Sequence, residues 1–211
     1  MHIADGVLSV PVLMTGMVFS VAGVGYGLQR LDNERIPQVA VLSAAFFVAS
    51  LIHLPIGFSS VHLVLNGLLG IILGWAAFPA LAIALFLQVI LFGFGGISAL
   101  GVNIFNMAFP AVITFYLCNH AARHAQHEYL QFLFGFIAGS LAILLSTLLI
   151  ALSLFLSGEG FIGVIQLIFI AHFPVMIVEG VMTGFIVVFL RQVRPELLTT
   201  PVLCHATEIF D

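Results

Sequence analysis

Lysine is absent from this 211-residue chain, and five Arg supply all of its fixed positive charge. Charged residues make up only 7 %, hydrophobic residues 62 %, and mean hydropathy is +1.26. Soluble domains carry about 25 % charged and about 45–50 % apolar residues. So little charge excludes a water-soluble globular domain, and so much apolar surface excludes a disordered one. The missing basic footprint argues against nucleic acid as a partner. Cysteine is scarce too. Cys118 and Cys204 show neither metal-ligand spacing nor a disulfide framework and read as inert thiols. There is no phosphate-binding loop ending in Gly-Lys-Ser/Thr, no Gly-x-Ser-x-Gly elbow and no zincin motif. A non-enzymatic chain is expected on these grounds. No basic n-region precedes the first apolar run, so the N-terminus is expected to be mature.

What the chain does have is a series of apolar runs of helix-spanning length. Seven can be read, at about 7–29, 37–54, 60–77, 79–93, 103–119, 131–157 and 161–193. The fourth is short, and Pro174 predicts a break in the seventh near His172. With seven spans, Arg30, Arg35, Arg123, Arg191 and Arg194 all fall on one side. The positive-inside rule makes that side cytoplasmic. The expected architecture is therefore an all-α integral membrane protein of about seven transmembrane helices. Its N-terminus would lie outside and its C-terminus in the cytoplasm. A single transmembrane domain spans 1–197, and a short tail occupies 198–211.

Eight His are unusual in so apolar a chain. His2 carries the most chemical meaning. A chain beginning Met-His ordinarily keeps its Met, because initiator removal needs a small second residue. Three nitrogens then follow in sequence: the Met1 amine, the His2 amide and His2 Nδ1. Together they close a five-membered and a six-membered chelate ring. Three planar nitrogens suit Ni(II) or Cu(II), and imidazole suits other late first-row ions. A disordered terminal His is the plain alternative. The apolar helix beginning near Val7 favours the chelate, because it tethers the terminus at the bilayer surface.

His53 and His62 lie on the same expected side. With Ser59 or Ser60 as cap, His62 would fall in the first turn of the third helix, with Asn66 one turn below to orient it. Either His could instead be an ordinary interfacial imidazole. His120, His124 and His127 read as part of a solvated inner loop. Glu179, Gln88, Asn103 and Asn106 are polar groups within or at the ends of apolar runs, where burial is expensive. They are expected to bond between helices or to hold the outer loops over a site. Gly93-Phe-Gly-Gly96 reads as a tight surface turn. Small residues four apart recur: Gly23/Gly27, Gly70/Gly74, Gly135/Gly139, Gly180/Gly184, Ala40/Ala44 and Ala45/Ala49. They serve either internal packing or docking of another membrane subunit.

Four stretches together resemble the CbiM/NikM family, the substrate-binding (S) components of energy-coupling-factor transporters for cobalt and nickel. They are Met1-His-Ile-Ala-Asp-Gly-Val-Leu-Ser9, Ser59-Ser-Val-His-Leu-Val-Leu-Asn-Gly-Leu-Leu-Gly70, the run Phe92 to Met107, and His172-Phe-Pro174 to Glu179-Gly180. The resemblance covers roughly 1–197. It implies seven helices, an outer N-terminus and a metal site formed by the Met1 amine, the His2 amide and imidazole, and His62. It implies Co2+ or Ni2+ as transported substrate, with no permanent cofactor. It also implies three kinds of partner: a membrane coupling (T) subunit, cytoplasmic ATPase (A) subunits and a small auxiliary membrane protein. Either Ala40 and Ala44 or Ala45 and Ala49 would dock the coupling subunit. Ala4 departs from the family's usual Pro, which loosens the turn after the chelate without removing a ligand.

The expected function is capture of Co2+ or Ni2+, cobalt slightly favoured, at the outer face of a bacterial or archaeal inner membrane. ATP hydrolysis on partner subunits would drive release. Two rivals stand beside it. A membrane haem protein would use facing His pairs. A structural assembly subunit would use only the small-residue faces and bind no metal.

Overall fold

The computed structural model describes residues 2–56 and 59–199. The helices are α1 Val10–Gln29, α2 Ile36–Ala49, α3 Asn66–Leu73, α4 Ala77–Phe92, α5 Leu100–His124, α6 Glu128–Phe155 and α7 Ile162–Val193, with a final turn, α8, at Glu196–Thr199. Between α2 and α3, strands β1 His53–Ile56 and β2 Ser59–His62 pair antiparallel, with His53 opposite His62. The dominance of helix follows from the composition. In hydrocarbon, backbone N–H and C=O groups must be paired within the segment that carries them. The chain is a multi-pass helical membrane protein, and its outward surface shows it. Val18, Phe19, Ile83, Ile90, Leu148, Ile170 and Phe185 all face out.

Five helical runs are long and apolar enough to cross a bilayer: α1, the stretch Asn66–Phe92, α5, α6 and α7. The 14 residues of α2 rise only about 21 Å, against a hydrocarbon core of about 30 Å. Asn66–Phe92 is not one rod. Gly74, at φ +55°, turns the chain between α3 and α4. Such a φ suits glycine because it has no Cβ to clash.

Contacts show that these two helices run in opposite directions. Along α3, Asn66 reaches the Met107 carbonyl, Gly70 packs on Ala111, and Asn119 donates to the Ile71 carbonyl, so α3 follows α5. Along α4, Ser43 donates to Ala80 and Gln88 bonds Ser50, so α4 follows α2 back. One end of the bundle therefore gathers His2, Ser50, the Gly93–Ala99 turn and Ser157. The other gathers Arg30, Trp75, Tyr116 and Arg123. There Tyr26 bonds Arg30, and Trp75 Nε1 donates to Tyr116 Oη at 2.9 Å, a pattern typical of the bilayer interface.

Three local expectations are corrected. Pro174 does not break α7, which runs on through it; prolines are tolerated in membrane helices because neighbouring groups take up the freed backbone partners. His120, Arg123 and His124 are not in a loop but in the last turns of α5. The His120 and His124 rings lie 4.2 Å apart, as i, i+4 neighbours should. His62 does not open the third helix. It ends β2, and α3 begins four residues later.

The small-residue pairs work inside the bundle. A Cβ on Gly135 would meet Gly184 Cα at 2.8 Å, and one on Gly139 would meet the Glu179 carbonyl at 2.6 Å. These glycines let α6 and α7 approach to backbone contact, where dispersion drives association in lipid. The alanines of α2 behave differently. Val39, Ser43 and Phe46 face inward, whereas Ala40, Ala44 and Ala45 are exposed and Ala49 is partly buried.

Candidate metal-capture site

The N-terminal segment is seated in the end of the bundle and held at three points. Asn103, in the first turn of α5, receives the Ile3 N–H on Oδ1 at 3.0 Å and donates Nδ2–H to the Ile3 carbonyl at 3.1 Å. The Asp5 carboxylate accepts the Ser98 backbone N–H at 3.0 Å and the Ser98 hydroxyl. Ser9 N–H donates to Ser157 Oγ at 3.1 Å. Ile3 is buried, which adds an apolar plug beside the polar clamp.

The glycine turn is shaped to take this segment. Gly95 and Gly96 have φ of +81° and +78°. A Cβ on Gly95 would lie 2.8 Å from Asn103 Nδ2 and 3.0 Å from His2 Cβ. One on Gly96 would lie 2.0 Å from the Asp5 carboxyl carbon. The missing side chains are the space that His2 and Asp5 occupy.

His2 is thereby fixed. Its ring stacks on Phe94, with centroids 6.2 Å apart and planes at 19°. The Gln88 carboxamide lies beside it. Loss of hydration, with the adjacent α-ammonium charge, holds the imidazole well below its ordinary pKa of 6.5, against the opposing hydrogen bond with Gln88. A neutral ring is the form that ligates metal. Asp5 titrates below the usual carboxylate range, mainly because Ser98 hydrogen-bonds its charged form.

Glu179 is wholly buried in the middle of α7. Its carboxylate accepts the N–H groups of Val64 and Leu65, the latter at 2.9 and 3.0 Å. Leu65 has φ +52° and immediately precedes α3, so the carboxylate satisfies two buried backbone donors on the chain leading into that helix. Glu179 thus anchors the strand end that carries His62. Asn66 does not orient His62. It donates to Ser146 Oγ at 2.9 Å, tying α3 to α6.

Of the residues expected to make a site, His2, Gln88 and Asn103 come together, and Glu179 holds the chain just after His62. Met1 lies outside the described residues, as does the His62 side chain. Among the described residues, no three His, Cys, Asp or Glu side chains converge as a metal cluster. An amine–amide–imidazole chelate is not a set of that kind. Asp5, Ser98, Gly95 and Gly96 were not anticipated as parts of the seat. Asp5 and the two glycines lie far apart in the sequence, so no local pattern linked them.

The description "cobalt uptake substrate-specific transmembrane region" fits residues 2–197. A putative metal transport protein of Haemophilus influenzae is 42 % identical over 94 % of this chain and 97 % of its own length. A putative fused nickel transport protein of Archaeoglobus fulgidus is 31 % identical over 94 % of this chain and 68 % of its own. A crystal structure of a truncated transition metal transporter superposes with a TM-score of 0.73 at 28 % identity, over 91 % of this chain and 99 % of that one.

Proposed function

The chain belongs to the CbiM family of cobalt uptake substrate-specific transmembrane regions, a membrane component of metal uptake, and on that footing we propose that it captures Co2+ or Ni2+ from outside the cell through the Met1 amine, the His2 amide and imidazole, and His62. One observation carries this reading. The terminal segment is clamped by Asn103, Ser98 and the glycine turn so that His2 is a fixed, neutral imidazole beside Gln88. The three polar anchors offset the entropy of ordering the terminus in advance, so that entropy is not lost again when a ligand binds. Cobalt is the slightly favoured ion. The Arg-bearing end of the bundle faces the cytoplasm under the positive-inside rule.

The chain works with a membrane coupling subunit, cytoplasmic ATPases and a small auxiliary membrane protein, and itself hydrolyses nothing. The exposed Ala40, Ala44 and Ala45 of α2 offer the coupling subunit a low-relief face on which helices can approach closely. The test is metal content per purified chain, native against His2→Ala. About one Co or Ni per native chain and none in the variant is expected. Equal content in both would refute the site.

A further inference from the structure

Beneath the N-terminal segment lies a cavity of about 220 Å³, lined by His2, Ile3, Val7, Ile150, Ile168 and His172 among others. It is apolar except for its two imidazoles. His172 sits ten residues into α7, roughly 15 Å along its axis. Only 4 % of its surface is exposed. Its Nδ1 lies 2.7 Å from the Ile168 carbonyl, which can only accept, so Nδ1 carries the proton. The neutral ring then presents Nε2 as a lone pair. That atom is buried and has no hydrogen-bond partner among the described residues. An unmet buried polar atom is costly and calls for a reason.

We propose that His172 is a transit ligand: its Nε2 receives the metal ion leaving the N-terminal chelate and holds it in this cavity on the inward path. This rests on the capture function proposed above. Three features support it. His2 and His172 border the same cavity, so the ion need not cross protein between them. A late first-row ion prefers imidazole to the water it would shed. The cavity also has the volume for an ion that keeps part of its own water shell. Transfer breaks the metal–nitrogen bonds of the chelate, with water taking the vacated positions on the ion and the His2 amide nitrogen regaining its proton from water; the ion then gives up one water to bond His172 Nε2, and no redox partner is needed. Below the chelate His172 is the one ligating side chain among the described residues lining the cavity, and the apolar walls do not compensate the water the ion sheds, so the ion is held weakly and moves on.

The test compares capture with uptake. Capture is Co per purified chain. Uptake is the initial rate of radioactive cobalt accumulation by cells producing the complete transport system. His172→Ala should keep its Co, which also reports an intact fold, while uptake falls about tenfold or more. His172→Cys, which restores a metal-binding lone pair, should recover part of the uptake. His172→Gln, which restores only hydrogen bonding, should not. Uptake by His172→Ala within twofold of the native chain overturns the proposal, as does full uptake by His172→Gln. Loss of capture in His172→Ala overturns it too, since the residue would then belong to the fold or the first site. If the unaltered chain captures no metal, the capture function fails first and this inference falls with it.

Discussion

Asn103 grips Ile3 by both of its backbone groups, at 3.0 and 3.1 Å, across 100 residues of sequence. The position of His2 follows from that grip, since Ile3 is its next residue. Each neutral hydrogen bond contributes about 1 kcal/mol. Asn103→Ala should therefore weaken metal binding about 30-fold, with the helices intact by circular dichroism. Asn103→Asp keeps the acceptor and loses the donor, so it should fall between. Titration of Co into each purified variant gives the order, and equal affinity for Asn103→Ala and the native chain would refute the clamp.

The glycine turn supplies an internal control. Gly93 and Gly96 have φ of +69° and +78°. A Cβ on Gly93 meets nothing within 4 Å, whereas one on Gly96 strikes the Asp5 carboxylate. Alanine at either position costs about 1–2 kcal/mol of backbone strain. Only Gly96→Ala displaces the terminal segment. We expect Gly93→Ala to retain metal and Gly96→Ala to lose it, at similar thermal stability. Parallel loss in both would mean that strain, not fit, is what matters there.

Glu179 can be tested by what replaces its two oxygens. Glu179→Gln keeps one acceptor for the N–H groups of Val64 and Leu65. Glu179→Leu keeps none and leaves both donors buried and unpaired, at about 1–3 kcal/mol each. Thermal unfolding in detergent should rank native above Gln, and Gln above Leu. Metal affinity should follow the same order, because the freed chain carries His62. Leucine as stable as glutamine would show that these donors find other partners.

The pH dependence has a definite sign. His2 has its pKa lowered in the folded chain, chiefly by loss of hydration. The unfolded chain binds that proton more readily, so stability rises with pH between the two values. The contribution is complete above about 6.5 and is lost as pH falls from there toward the folded pKa. Metal-free protein should therefore melt at lower temperature at pH 5.5 than at pH 7.5, and His2→Ala should flatten the difference. Metal capture should weaken earlier, as the Met1 amine protonates below about 8. A capture profile flat from pH 8 to 6 would contradict amine ligation.

Much of this was legible in the residues, for reasons that can be named. The scarcity of charge and the long apolar runs pointed to a helical membrane protein because hydrocarbon leaves the backbone few other options. Gln88 and Asn103 stood out because polar side chains in apolar runs need partners. Their partners, Ser50 and Ile3, are set by tertiary packing across many residues and were not readable. His62 was misplaced because Ser59 and Ser60 look like helix caps. The helix instead begins at Asn66 with no side-chain cap, and a buried carboxylate from a distant helix fixes the two residues that lead into it. Pro174 was misread because the rule for proline in water does not carry over to lipid. The seat of Asp5 on Ser98 and the glycine turn was missed because a turn read in isolation does not show what it receives.

The central claim is a chelate that includes a free α-amine, and one added residue tests it without altering any side chain. Cobalt or nickel per chain should be measured by elemental analysis on the native protein and on a form with one residue ahead of Met1. We expect about one ion in the native form and none in the extended form. Equal metal in both would contradict the Met1–His2 site and return the question to His53, His62 and Glu179.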